Sequence, residues 1–165
     1  MAATRPNSAS FWKSYLNYDD YTQSAVWEKI GGSIGKTYGP TNDNSCAARV
    51  SHGLNYSGAP VQQFGSASVN LKDQEYKGVK GDGLRYIVSA MGMAKYLKQE
   101  WENPDHQVKD QASLDKVVSS LGGKCAIFAT PNPPGGQGHA GVLRVGYSDP
   151  FVSQSLPVDV WVLRQ

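Results

Sequence analysis

The apolar pattern of this chain changes period once, and that change limits the fold more than any other feature. Up to Gly123 the hydrophobic residues recur at three- and four-residue intervals, the spacing of one helical face. From Cys125 they run almost continuously in short segments, as strands do. Helices first and strands last is an α+β arrangement, predicted to pack N-terminal helices on a C-terminal antiparallel sheet.

Ser8 to Leu16 predicts a short first helix with Ser8 as its cap, and Gln23 to Ile30 a second, stopped by Gly31-Gly32. Ser33 to Asn44 is dense in Gly, Pro, Asn and Asp and reads as an irregular loop. Cys46, Val50 and Leu54 then share a helical face, with Asn44 or Ser45 available as N-cap and Gly58 as a stop. Residues 57–82 read mostly as loop. Leu84, Ile87, Val88, Met91, Ala94, Leu97 and Trp101 form the longest helical stripe, ended by Pro104. Ser113 caps a shorter helix through Leu121, closed by Gly122-Gly123. Cys125 to Thr130 and His139 to Val145 predict an antiparallel hairpin with a wide loop at 131–138, and Val158 to Leu163 a third strand.

At 165 residues the chain is read as a single domain, 1–165, with room for one core. Sixteen Lys and Arg stand against fourteen Asp and Glu, short of the strongly basic balance of a nucleic-acid binder. No apolar run is long enough to insert in a membrane, and the start of the chain has no apolar stretch behind a basic region. The expectation is therefore a protein made in the cytoplasm without a signal peptide. Two cysteines lack the paired spacing of a structural zinc site and are too few for a disulfide framework, although a single Cys46–Cys125 bridge stays open.

Those cysteines and three histidines restrict any Cys-His chemistry to few casts. Cys46 lies in the first turn of its helix, where the positive end of the dipole favours a nucleophilic thiolate and unpaired N–H groups, its own included, face an attacked carbonyl. His52, six residues along the same helix, is turned by about 240° and displaced by about 9 Å, too far to act as its base. His106 sits in a polar, solvated stretch. His139 follows Gly135-Gly136-Gln137-Gly138, where missing side chains let a substrate backbone approach, and begins a strand that fixes its ring. Cys125 pairs with the far end of that strand, about 13 Å from His139, and reads as core. Cysteines in helices are commonly core residues too; the N-terminal address and the Gly-flanked histidine set Cys46 apart.

Asn44-Ser45-Cys46-Ala47-Ala48-Arg49-Val50-Ser51, followed by Leu54-Asn55, Gly58 and Pro60-Val61 and preceded by Gly31-Gly32-Ser33-Ile34-Gly35-Lys36, resembles the nucleophile region of the type VI secretion amidase effectors. Gly138-His139 at a strand start resembles that family's catalytic histidine. These are papain-like, NlpC-type peptidoglycan peptidases that one Gram-negative bacterium injects into the periplasm of another.

The resemblance implies Cys46 as nucleophile, His139 as general base, and Asp149, ten positions on, as the residue orienting the ring. It also implies a peptidoglycan substrate, delivery by the type VI secretion apparatus, and a cognate periplasmic immunity protein, with no metal or organic cofactor. The bond implied is D-glutamyl to meso-diaminopimelate, with the diaminopimelate to D-alanine crosslink as the alternative. Strand register disagrees over Asp149: a strand from His139 to Val145 that turns at Gly146 leaves it beside Leu143, about 13 Å from His139. Only an earlier turn, near Arg144, would bring it back, and a backbone or other polar partner for the ring therefore stays open. The rival from another class is a non-enzymatic wall-binding module, its nine tyrosines and four tryptophans stacking on sugars.

Overall fold

A computed structural model describes residues 2–66, 69–131 and 138–165. Helices α1 (Ser8–Ser14), α2 (Gln23–Ile30), α3 (Gly32–Tyr38) and α4 (Cys46–Asn55) come first, followed by the strand pair β1 (Asn70–Lys72) and β2 (Arg85–Ile87). Then come α5 (Ala90–Trp101), β3 (His106–Val108), α6 (Gln111–Ser120), β4 (Ala126–Ala129), β5 (Ala140–Leu143) and β6 (Val158–Val162). The four later strands form one antiparallel sheet in the order β3-β6-β4-β5, so the predicted α+β layout holds.

That sheet is covered on both faces, which is why its strands read as unbroken apolar runs rather than alternating ones. Ile127, Ala129, Ala140, Val142 and Trp161 join a core with residues of α1, α4 and α5. Ala126, Phe128, Leu143, Val158 and Val160 join a second core with Leu114, Val117 and Leu121, in and just after α6. Phe128 and Trp161 are fully buried; side chains of this size contribute about 2–3 kcal/mol each by leaving water. A third cluster gathers Leu16, Val26, Trp27, Ile34, Ala48 and Tyr86 around α2 and α3.

Several elements differ from the sequence reading, beginning with α1, which is capped by Asn7, whose Oδ1 accepts the Ser10 N–H, and not by Ser8. The stretch after Gly31 is helix α3 rather than loop, because its first turn is capped from far along the chain: Asp73 Oδ1 accepts the Ile34 N–H at 3.2 Å, and Ile34 is buried in the third cluster. The stripe from Leu84 breaks in two, since residues 85–87 pair with β1 and Ser89, whose Oγ accepts the Gly92 N–H, starts α5. Helix α6 begins earlier than Ser113, at Gln111, because Asp110 is its cap and Ser113 closes a capping box with it. His106, expected in a loop, is exposed at the start of β3 and pairs with Val160. Loop residues 132–137 lie outside the described residues.

Candidate active site

Helix α4 packs against β5 and sets Cys46 next to the strand that follows His139. Ser45, the cap residue, makes no side-chain bond to the helix backbone; its hydroxyl instead accepts Arg49 Nε at 2.9 Å. The Cys46 N–H is taken by Asn44 Oδ1 at 3.0 Å, so this amide, expected to be free for an oxyanion, already has a partner. Cys46 is 3% exposed. Arg49 is a fully buried cation held by the carbonyls of Leu16 and Tyr21, with its guanidinium 3.7 Å from the ring centre of Tyr18.

His139 is fixed in backbone and ring. Thr130 opposite it accepts the His139 N–H through Oγ1 and donates its own N–H and hydroxyl to the His139 carbonyl. Nε2 meets both carboxylate oxygens of Asp149, at 2.8 and 2.9 Å. That leaves Nδ1 free of the carboxylate, and the Cys46 side chain is near enough to the ring to raise its pKa. The imidazole is flanked by Phe128, Phe151 and Tyr18 with ring centres 5.4–6.0 Å away. The structure thus brings Cys46, His139 and Asp149 together.

Asp149 arrives by the earlier turn, near Arg144, rather than by a strand continued to Val145. Strand β5 stops at Leu143, and Arg144 and Tyr147 close a tight reversal in which the Tyr147 N–H donates to the Arg144 carbonyl. The returning chain then crosses Gly141 instead of running on beside Leu143, and the expected 13 Å gap is a hydrogen bond. Two local features permit it. The Phe151 N–H donates to Asp149 Oδ1, and a Cβ on Gly141 would lie 2.5 Å from Asp149 Oδ2, so only glycine leaves room for the carboxylate.

The remaining candidates fall elsewhere. His52 Nδ1 lies 2.6 Å from the Ser14 carbonyl oxygen, away from the thiol. Cys125 is buried in the core, which pushes its thiol up to about 11, and both cysteines are free. A groove of about 600 Å³ opens over the site, lined among others by Tyr18, Asn44, His139, Phe151 and Leu156. Among the described residues no cluster of His, Cys, Asp and Glu is arranged to hold a metal ion, and no helix is long and apolar enough to cross a membrane.

Residues 42–144, more than half of the sequence, match the model of the family described as type VI secretion system (T6SS), amidase effector protein 4. The chain belongs to this family. Solved amidase effectors have the same fold: Tae4 from Enterobacter cloacae superposes with a TM-score of 0.69 at 22% identity, covering 99% of this chain and 100% of that one. Tae4 from Salmonella typhimurium, in complex with the immunity protein Tai4 from Enterobacter cloacae, gives 0.67 at 22% identity, with 96% and 99% covered. The Tae4–Tai4 complex from Enterobacter cloacae gives 0.69 at 20%, with 98% and 100% covered. None of the curated proteins compared matches the chain.

In this amidase effector the electrostatics of the ring are set by competing causes. Burial favours the neutral imidazole, but the hydrogen bonds to Asp149 and then Cys46, with the charges of both, outweigh it and raise His139 from 6.5 to about 9. A base raised on folding stabilises most below its unfolded value and loses that contribution as pH rises through the folded one. Wild type is therefore expected to exceed Asp149→Asn in stability most at about pH 6, with the gap closing toward about pH 9. Urea midpoints of both proteins across that range measure this, and a gap that does not depend on pH would count against the ion pair.

The sequence reading missed Tyr18, Arg49 and Phe151. Nothing in the local sequence marks Tyr18 or Phe151, whereas Arg49, a charge three residues from Cys46 on a buried helix, was a legible anomaly.

Proposed function

We propose that this effector hydrolyses an amide bond in the stem peptide of peptidoglycan, D-glutamyl to meso-diaminopimelate, with Cys46 as nucleophile, His139 as base and acid, and Asp149 as the group orienting the ring. The observation that carries the reading is the juxtaposition at the edge of an open groove of His139, bonded to Asp149, and the Cys46 side chain that acts on the same ring. Membership of an amidase effector family supports the reaction class.

The thiolate adds to the carbonyl carbon and the oxygen takes up the negative charge. As the intermediate collapses, His139 hands its proton to the leaving amine and a thioester remains. Water, deprotonated by the same ring, then releases the acid. A ring that holds its proton up to about pH 9 is an acid ready for the amine at neutral pH. Asp149 bonds Nε2 and so keeps Nδ1 turned to the sulfur. Residues 1–165 act as one domain in this scheme, and no cofactor enters it.

The protein works in the periplasm of a target cell after type VI delivery, and a cognate immunity protein that closes the groove is its partner, as Tai4 is complexed with Tae4 in the similar structures. Purified sacculi treated with wild type are expected to release muropeptides ending at D-glutamate, identified by mass spectrometry, and Cys46→Ala to release none. Release of intact uncrosslinked peptides would transfer the assignment to the crosslink. Binding to sacculi without release by either protein would overturn the enzyme in favour of a wall-binding module.

A further inference from the structure

Acyl transfer to Cys46 needs a donor for the oxygen that becomes negative, and the nearest backbone N–H is already engaged. The Cys46 amide donates to Asn44 Oδ1 at 3.0 Å. Only the carboxamide oxygen can accept from an N–H, so this bond also fixes which way the side chain faces. Nδ2 points away from the Cys46 amide, and none of the hydrogen bonds among the described residues uses it. Asn44 is exposed and lines the groove with His139, while Ser45 and Cys46 behind it are buried. An amide group with two unused hydrogens therefore stands at the groove wall, bonded to the residue that carries the thiol.

We propose that Asn44 is a catalytic residue of the hydrolysis, its Nδ2 donating to the oxyanion formed at the attacked carbonyl. This rests on the reading of Cys46 as nucleophile. As the sulfur–carbon bond forms, the carbonyl π pair moves to oxygen and is met by the Nδ2 hydrogens. On collapse the C=O bond returns, the carbon–nitrogen bond breaks, and the amine leaves with the proton from His139. A donor held in place beforehand is worth more in such a site than one that must turn to the charge as it develops. The bond to the Cys46 amide is what holds it.

The competing role for Asn44 is to hold the Cys46 amide alone, and isosteric substitution separates the two. Asn44→Asp keeps an oxygen for the Cys46 N–H and adds a charge that suits a helix N-terminus, so it retains that bond and the fold. It removes the donor. Steady-state rates on a soluble stem peptide are expected to fall by about 100-fold in kcat for both Asn44→Asp and Asn44→Ala, with KM little changed. The loss in Asn44→Asp is expected at every pH. A wild-type kcat in Asn44→Asp, or a rate–pH profile that merely shifts and regains the wild-type plateau through an effect on His139, overturns the proposal. Should Asn44→Ala fail to fold, Asn44→Asp alone decides. Turnover that survives Cys46→Ala would instead overturn the reading on which the proposal rests.

Discussion

Replacing His139 by alanine is expected to lower turnover by at least about three powers of ten, and replacing Cys46 and His139 together to cost no more than either alone, because groups acting as one unit do not add. The two changes differ in stability. His139 is 4% exposed, and its ring is bonded to both oxygens of Asp149. Its removal leaves a buried carboxylate with the Phe151 N–H, a loss of about 1–3 kcal/mol for the orphaned acceptor. His139→Gln restores a donor but no base. It should recover part of that stability and none of the turnover. His52→Ala, whose ring is bonded to a carbonyl elsewhere in the fold, should turn over at the wild-type rate. Muropeptide release and denaturant midpoints measured on the same preparations test each part, and turnover in His139→Gln within tenfold of wild type would remove the ring from the reaction.

What could be read from the sequence follows how local each cause is. Helix α2 was legible to the residue because its boundaries are made next door: Thr22 caps Ala25, and Gly31 leaves the helix at φ 64°. Helix α3 was not, since its cap, Asp73, lies 39 positions away from the amide it accepts. Leu84 and Val88 mimic a helical pair because both pack against the third cluster from either side of β2, and the strand that pairs with β2 lay inside a stretch whose composition says only loop.

The site divides in the same way. A thiol opening a helix and a histidine at a strand start are local signals; Cys46 opens α4, and His139 immediately precedes β5. The third member depended on where β5 ends and on what lies across it. Counting along an ideal ladder carries neither quantity, because the returning segment leaves the ladder at Tyr147 and lies over a glycine. Nor does residue type tell that Asn44 would bond the amide of Cys46, or that Arg49 would hold the segment bearing Tyr18.

Gly141→Ala tests that last dependence with one methyl group. The backbone at Gly141 lies outside the left-handed region, so any penalty arises from space rather than conformation. The new Cβ would stand 2.5 Å from Asp149 Oδ2 and 2.9 Å from Cζ of Phe128. Phe128 has 0% exposure and nowhere to go, so the carboxylate must withdraw from the strand, and with it from His139. Overpacking of this kind costs about 1–3 kcal/mol, and a misplacement of about 1 Å in a catalytic constellation costs about 100-fold in rate. With its partner withdrawn, the ring should also lose part of the cause that holds it near pH 9, moving the alkaline limb of the rate–pH profile to lower pH. A double-mutant cycle isolates the contact: in an Asp149→Ala background the same methyl group should cost far less stability and almost no further turnover. Equal losses in the two backgrounds would mean that the glycine serves the Phe128 packing alone and that Asp149 reaches the histidine without its help.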